Sequence, residues 1–383
     1  MARRFPPLLA LLLILGLLAA CGGQSAGGEV IKIGFFGPLS GDTATDGTNA
    51  RNAAQLAINQ ANANQTIPGK TLELVVYDDK LNPSQAFTDA TDLVTKDKVS
   101  AVIGGSYSAT TLKAAPVFQQ AGVPVVVAYA PHPDITKDKP VMFRVIYTST
   151  VMGKAMVIYG MDKLGYKSFH VLSLDNPYGN SIAESVLREI PGRGATLASS
   201  QKFTAGETDF ADRIAAIAAK PADALILIGN YTECAEIIKQ LRAKGVALPI
   251  IGGDGLDSPA LPELGGAAAE GVVLSTDFSR DDPRPIVKDF IRDFRAAYNN
   301  QTPDLVAAST YDAATVLIQA IKRANSSQPQ AIRDAIAATT TFEGVTGSIT
   351  FTPNREVEKT VLFVKVDKGS FIYIDKLDPS QLR

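Results

Sequence analysis

Residues 99–130 read VSAVIGGSYSATTLKAAPVFQQAGVPVVVAYA, and this stretch decides the fold of the chain. It opens with an apolar, β-branched run that predicts a short strand, followed by two glycines and a hydroxyl-rich loop. A helical segment then runs to about Ala121, and a Gly-Val-Pro break leads into a second apolar strand. The stretch therefore predicts a β-α-β unit whose first strand delivers a small polar loop to the start of a helix.

The loop of this unit is a candidate anion site. A helix N-terminus offers unpaired backbone N–H groups and a partial positive charge, and both favour an anion. Ser108 is expected to be the N-cap of the helix, and Ser106 and Tyr107 stand beside it in the same loop. We predict that the loop binds the carboxylate of a small ligand, with a plain capping role for Ser108 as the alternative.

Length and composition limit the other possibilities. A chain of 383 residues favours two domains over one compact core. The net charge is −2 and no basic stripe is present, so nucleic acid is not an expected partner. With only two histidines, neither a histidine-rich metal site nor a cofactor is expected. Strands and helices alternate in two successive halves, which predicts α/β architecture with a doubly wound parallel sheet in each half.

The N-terminus has the pattern of an export signal. Two arginines precede an apolar run at residues 8–18, which is shorter than the roughly 20 residues that span a membrane. A membrane-spanning anchor is the alternative interpretation. The tetrapeptide Leu-Ala-Ala-Cys ending at Cys21 resembles the bacterial lipobox, whose cysteine is lipidated. We expect a signal peptide at residues 1–20, a lipidated tether at 21–29, and an exported protein held to the membrane by its lipid alone.

Several short motifs occur along the chain in a characteristic order. They are IG at 33–34, GPLSG at 37–41, RNAA at 51–54, LVVYDD at 74–79 with NP at 82–83, VIG at 102–104, GVP at 122–124, DNPYG at 175–179 and TYDA at 310–313. With them the chain resembles the solute-binding proteins of branched-chain amino acid importers, which have the type I periplasmic-binding-protein fold. The resemblance covers nearly the whole mature chain.

This resemblance implies two lobes joined by three crossing segments. Lobe I is expected at residues 30–148 plus 279–356, and lobe II at residues 149–278 plus 357–383. The C-terminal helices and strands then belong to these two lobes and do not form a third domain.

The resemblance also assigns candidate ligand contacts. It implies that Ser108 binds the ligand carboxylate, that the carbonyl of Tyr129 accepts from an ammonium, and that Asp254 is the acidic partner of that ammonium. Tyr178 is expected to close over the ligand from lobe II. A turn-forming role for Asp254 and rim packing for Tyr178 are the alternatives. The family's second hydroxyl corresponds to Pro131, which has neither a hydroxyl nor an N–H group.

The side walls of the implied pocket are unusually polar. Positions that often carry aromatic residues in the family correspond to Asp46, Asn230 and Val306, and a shift of one residue would bring in Tyr231. Asp46 is expected either to meet a second cationic or hydroxyl group of the ligand or to be a solvated loop residue. His132 is expected either to face the cleft or to cap its loop.

These features predict a binding protein. It would act as a monomer, capture a small carboxylated solute, an amino acid or close analogue, and deliver it to the permease of an ABC importer. The alternatives are a sensor for a separate membrane partner, or a binder of short amides, urea or aromatic acids. An enzyme is not expected, because residues 104–108 do not match G-x-S-x-G and no Gly-rich nucleotide loop is present.

Overall fold

The computed structural model describes residues 28–104 and 107–382. The predicted signal peptide, Cys21, nearly all of the predicted tether and Ser106 lie outside the described residues. The first strand begins at Glu29, with which the predicted tether ends. Where the structure describes the chain, no helix is both long and apolar enough to cross a membrane.

The described residues form alternating strands and helices. The strands are β1 (Glu29–Gly37), β2 (Lys70–Asp78), β3 (Ala101–Gly104), β4 (Val125–Val127), β5 (Met142–Arg144), β6 (Ser168–Leu174), β7 (Thr196–Phe203), β8 (Ala224–Ile228), β9 (Ile250–Gly252), β10 (Val273–Thr276), β11 (Phe342–Gly344), β12 (Gly347–Ile349), β13 (Val361–Asp367) and β14 (Ser370–Leu377). The helices are α1 (Ala44–Ala63), α2 (Pro83–Thr95), α3 (Ser108–Ala121), α4 (Ser149–Ile158), α5 (Pro177–Gly192), α6 (Ala211–Ala218), α7 (Tyr231–Ala243), α8 (Ala260–Gly265), α9 (Pro285–Ala297), α10 (Leu305–Ala324) and α11 (Pro329–Ala337).

Two sheets organise these elements. The first has the order β2-β1-β3-β4-β5, and all of its strands are parallel. The second has the order β14-β13-β10-β9-β8-β6-β7. Its strands β6–β10 are parallel to one another, whereas β13 pairs antiparallel with β10, and β14 pairs antiparallel with β13. The predicted α/β class with doubly wound parallel sheets is confirmed.

The chain passes between the two sheets three times. Side chains of α10 and α11 share a core with the first sheet, whereas β13 and β14 extend the second sheet. The crossings therefore lie between β5 and α4, between β10 and α9, and between β12 and β13. We call the part built on the first sheet lobe I and the part built on the second sheet lobe II.

Some elements differ from those predicted. Helix α1 begins at Ala44 rather than near residue 48. The helix expected over residues 151–164 is α4 followed by a π-helical turn at Tyr159–Lys163. Strand β5, helix α8 and the β11–β12 hairpin were not predicted. The three strands and the helix are each three to six residues long, too short to show a hydrophobic period in the sequence.

Candidate functional site

A cavity lies between the lobes, at the carboxyl ends of the parallel strands. Its lining residues follow β1, β3 and β4 in lobe I and β6, β8 and β9 in lobe II, and two more begin α10. The strand order reverses between β1 and β3 in the first sheet and between β6 and β8 in the second. The loops on the two sides of such a point diverge and leave a crevice at the carboxyl ends of the strands. Of the predicted site residues, the cavity is lined by Asp46, Tyr107, Ser108, Tyr129, Tyr178, Asn230, Tyr231, Asp254 and Val306.

The two lobes are closed over this cavity. Its volume is about 40 Å³, and a single water needs roughly 10–15 Å³. Across the cleft, the Tyr231 hydroxyl of lobe II donates to the Asp42 carbonyl of lobe I at 3.4 Å. A solute the size of an amino acid therefore enters only when the lobes, or the side chains between them, move apart.

Ser108 is the first residue of α3, and the prediction that it is the N-cap was wrong. Tyr107 is the N-cap, with its carbonyl accepting from Thr111 N at 2.9 Å and its N–H donating to Thr110 Oγ1 at 3.2 Å. Ser108 is 1% exposed, and its hydroxyl has no hydrogen-bond partner among the described residues. Buried hydroxyls normally have a hydrogen-bond partner, so the Ser108 hydroxyl can form a hydrogen bond to a ligand in the cavity.

Asp46 lies in the first turn of α1 and is 7% exposed. The alternative of a solvated loop residue was therefore wrong. The helix starts close against the preceding loop, where a Cβ on Gly47 would come within 2.1 Å of the Pro38 carbonyl oxygen. The Tyr107 hydroxyl donates to Asp46 Oδ2 at 2.6 Å, and within the described residues Oδ1 has no partner. Burial, with the nearby Asp304 carboxylate, raises the pKa of Asp46 to about 8.

Asp254 is half-buried in a 3₁₀ turn directly after β9. The Tyr178 hydroxyl donates to Asp254 Oδ1 at 2.8 Å and accepts from Gly255 N at 3.0 Å. Gly255 is needed here, because a Cβ would lie 2.8 Å from that hydroxyl and 2.4 Å from the Gly229 carbonyl oxygen. Burial raises the pKa of Asp254 to about 7, with the Asp277 carboxylate adding to the shift and the Tyr178 bond opposing it.

Asp257 is a cavity residue that sequence reasoning missed. Its Oδ1 accepts from both terminal nitrogens of Arg280 at 3.1 Å. The Nε of Arg280 donates to the Pro303 carbonyl in lobe I at 3.1 Å, so this arginine joins the lobes beside the cavity. Asp257 follows Asp254 by three positions in one Gly- and Asp-rich turn, a signal that the sequence did contain. The other lining residues that were not predicted as ligand contacts are Pro131, Gly255, Ser258 and Leu305.

His132 does not line the cavity. Its Nδ1 accepts from Asp134 N at 3.2 Å and caps the 3₁₀ turn Pro133–Ile135, so the structure shows the loop-capping alternative. Burial lowers the pKa of His132. The neighbouring Pro131 and Tyr129 do line the cavity, and the ring of Tyr129 packs edge-on against Tyr107 with centroids 6.0 Å apart.

A buried arginine holds this loop in place. Arg144, at the end of β5, is 0% exposed and donates to the carbonyls of Ala130 and His132, both at 2.8 Å. Its Nε lies 3.0 Å from Glu356 Oε2, in the third crossing segment. Arg144 thereby fixes the loop between Tyr129 and the 3₁₀ turn. Nothing in the sequence around Arg144 indicates this role, because its carboxylate partner is 212 positions away.

Comparison with known proteins agrees with this architecture. The "Leucine-, isoleucine-, valine-, threonine-, and alanine-binding protein" of Pseudomonas aeruginosa is 28% identical over 87% of this chain and 89% of its own length. The crystal structure of the leucine binding protein LivK from Thermotoga maritima has a TM-score of 0.87 at 28% identity, covering 91% of this chain and 99% of that one. LivJ from Streptococcus pneumoniae, solved with isoleucine, has a TM-score of 0.84 at 31% identity, covering 90% and 98%.

These relatives are named as binding proteins, which confirms the predictions that the chain resembles this family and is not an enzyme. A family profile described as "Periplasmic binding protein" matches residues 30–370, nearly the whole of the described chain. The chain therefore belongs to the periplasmic binding protein family, whose members bind solutes outside the cytoplasm.

Proposed function

We propose that this protein captures an α-amino acid between its lobes and delivers it to an ABC importer. The observation that carries the proposal is the Ser108 hydroxyl, which is buried at the N-terminus of α3 and has no partner among the described residues. A carboxylate placed there accepts from Ser108 and from the first N–H groups of the helix, and it also benefits from the helix dipole.

The ligand ammonium is assigned to the opposite lobe. Asp254 Oδ1 accepts from Tyr178, which leaves the second carboxylate oxygen to accept from an ammonium. A cation beside Asp254 favours its ionised form and so opposes the burial that, as the largest cause, raises its pKa to about 7. The Tyr129 carbonyl is proposed as a further acceptor. The names of the relatives from Pseudomonas and Streptococcus support an amino acid as the class of ligand.

Ligand binding is proposed to drive closure of the lobes. Ser108 and Tyr129 belong to lobe I, whereas Tyr178 and Asp254 belong to lobe II. A solute that bonds to the residues of both lobes favours the closed arrangement over an open one, because these bonds can form at the same time only when the lobes are closed. The closed form is the shape that we propose the permease of the importer recognises.

The remaining assignments extend this proposal. We place lobe I at residues 30–148 plus 279–356 and lobe II at residues 149–278 plus 357–383. We propose that residues 1–20 are removed as a signal peptide and that lipid on Cys21 holds a monomeric protein at the membrane. The short lipobox-like tetrapeptide and the tether behind it support this anchoring.

Isothermal titration of the purified protein, without its first 20 residues, against the common amino acids tests the proposal. We expect at least one amino acid to bind. Replacing Ser108→Ala is expected to weaken it by roughly 10- to 100-fold, as for a hydrogen bond to a charged group. The matched control is Thr111→Val, because the Thr111 hydroxyl is also buried in the first turn of α3 and has no partner in the part of the chain that the structure describes, but it does not line the cavity. The proposal would be overturned if none of the amino acids bound, or if Ser108→Ala and Thr111→Val changed the dissociation constant equally.

A further inference from the structure

The wall of the cavity around Asp46 carries information about the ligand beyond its amino-acid backbone. Resting on the function proposed above, we propose that the amino acid has a cationic side chain and that Asp46 binds this second positive group. This inference concerns the side-chain end of the ligand, whereas Ser108 and Asp254 concern its backbone end.

The geometry of Asp46 leaves one oxygen for a ligand. Oδ2 is held by the Tyr107 hydroxyl at 2.6 Å, which fixes the orientation of the carboxyl group. Oδ1 is buried and, within the described residues, accepts no hydrogen bond. A buried carboxyl oxygen without a donor costs on the order of 1–3 kcal/mol. Because Asp46 lines the cavity, a donor on the ligand is the group that can satisfy it.

The charges around the cavity favour a cation as that donor. The lining side chains include three carboxyl groups, those of Asp46, Asp254 and Asp257, and no lysine, arginine or histidine. Arg280 balances Asp257 at 3.1 Å, and the ligand ammonium is assigned to Asp254. Asp46 is thus the acidic group of the lining to which the described residues offer no cation.

A second carboxyl group strengthens this argument. Asp304, the N-cap of α10, is fully buried behind the cavity and accepts from the Asn49 amide at 2.5 Å. Asp304 and Asp257 both raise the pKa of Asp46, after the larger effect of burial. A positive group beside Asp46 favours its ionised form and offsets the repulsion from Asp304 and Asp257, which a neutral hydroxyl does not.

An aliphatic side chain fits this wall poorly. Val306 and Leu305 supply apolar surface nearby, but a leucine-like ligand would seal Asp46 Oδ1 away from water without giving it a donor. The apolar pair is better suited to the methylene groups of a basic side chain, whose charged end then reaches Asp46.

Three ligands of equal side-chain size test the inference: 2,4-diaminobutyrate with an ammonium, homoserine with a hydroxyl, and norvaline with a methyl group. Ornithine and norleucine form a longer pair matched in the same way. By isothermal titration, we expect the diamino acid of at least one length to bind at least 10-fold more tightly than its apolar counterpart. Asp46→Asn is expected to remove most of this preference, and Asp162→Asn, at an exposed residue that does not line the cavity, to leave it unchanged.

The outcomes separate this inference from the proposed function. If norvaline and norleucine both bind as tightly as their diamino counterparts, in a manner that Ser108→Ala weakens, the amino-acid function stands and the cationic side chain is wrong. If 2,4-diaminobutyrate is the diamino acid that is preferred and homoserine binds as tightly, the cationic class is also overturned. A preference that survives Asp46→Asn overturns the role of Asp46. If no amino acid binds at all, the proposed function itself fails.

Discussion

Lys359 Nζ lies 2.8 Å from Asp277 Oδ2, and both side chains are only 2% exposed. The same ammonium donates to the Val145 carbonyl at 3.1 Å and to the Thr346 hydroxyl. Val145 follows β5, Asp277 follows β10 and Lys359 precedes β13. One buried ammonium, carried by the third crossing segment, thus bonds to a residue of each of the other two, so it ties the three segments of the hinge together.

Lys359→Met is expected to destabilise the protein by roughly 3–5 kcal/mol, because Asp277 would be left as a buried, unpaired carboxylate. The free energy of unfolding in urea measures this loss. Lys163→Met is the control, since its partner Asp375 is about one-third exposed and such pairs contribute roughly 0–1 kcal/mol. Equal losses in the two variants would show that the Lys359 cluster does not stabilise the hinge.

Tyr178→Phe is expected to weaken amino-acid binding by about 10-fold. The substitution removes the hydroxyl that donates to Asp254 and accepts from Gly255 N, so the carboxyl group loses its orientation. Isothermal titration with the tightest-binding amino acid measures the change. Tyr373→Phe, on an exposed ring of β14, serves as the matched control. An unchanged dissociation constant in Tyr178→Phe would remove Tyr178 from the site.

Arg144→Met is expected to loosen the loop that carries Tyr129 and Pro131. The carbonyls of Ala130 and His132 lose their donors, so backbone amides of the following 3₁₀ turn should exchange hydrogen faster. Arg144→Lys keeps the charge but not the two forked contacts and is expected to give an intermediate result. Hydrogen exchange followed by mass spectrometry provides the measurement. Exchange in this loop that matches the parent protein would contradict the positioning role of Arg144.

The stability of the ligand-free protein is expected to fall as the pH rises from about 4 to 8. The pKa of Asp46 is raised to about 8 in the folded state, against roughly 3.9 in an unfolded chain. Over this window the folded state holds a proton that the unfolded state has released, so stability decreases with pH. Asp254 and Asp304, with pKa values of about 7 and 6, act in the same direction.

Asp46→Asn should reduce this dependence, because asparagine does not titrate. We expect its free energy of unfolding to exceed that of the parent by at least about 1 kcal/mol at pH 8, and by less at pH 5. The groups that face Asp46, namely Tyr107, Tyr231, Asp257 and Asp304, remain in place. Asp162→Asn controls for the loss of one surface charge. If the free energy of unfolding changed with pH in the same way in Asp46→Asn and in the parent protein, the buried, protonated state of Asp46 would be contradicted.

A local pattern predicted the Ser108 loop of the cavity lining, and the family resemblance implied Tyr129, Tyr178 and Asp254. Ser108 and Tyr129 follow short apolar strands, and Tyr178 and Asp254 lie in turn motifs rich in Gly, Pro and Asn. The strands and turns that carry these residues are local signals, so they can be recognised without knowing which segments come together. The resemblance also implied Asn230 and Val306. Their roles as ligand contacts stay predictions, although all of them line the cavity.

Other features depended on contacts between distant segments. Asp46 lies in the first turn of α1, which starts four residues earlier than predicted. It is buried there because Tyr107 and Asp304 lie near it. Arg144 and Lys359 look like ordinary surface charges in the sequence, and their buried partners are far along the chain. A pattern within a short stretch of sequence cannot predict pairs between residues so far apart in the chain.

The sequence by itself determined the class of fold, since strand and helix periods, turn residues and caps act over a few neighbouring positions. Only the tertiary structure decided which carboxyl groups are buried and which have partners. Burial and electrostatic coupling depend on what other segments bring to the same place, and Asp46 lies beside Asp304 and Tyr107, which are distant in the sequence, only because the fold brings them together.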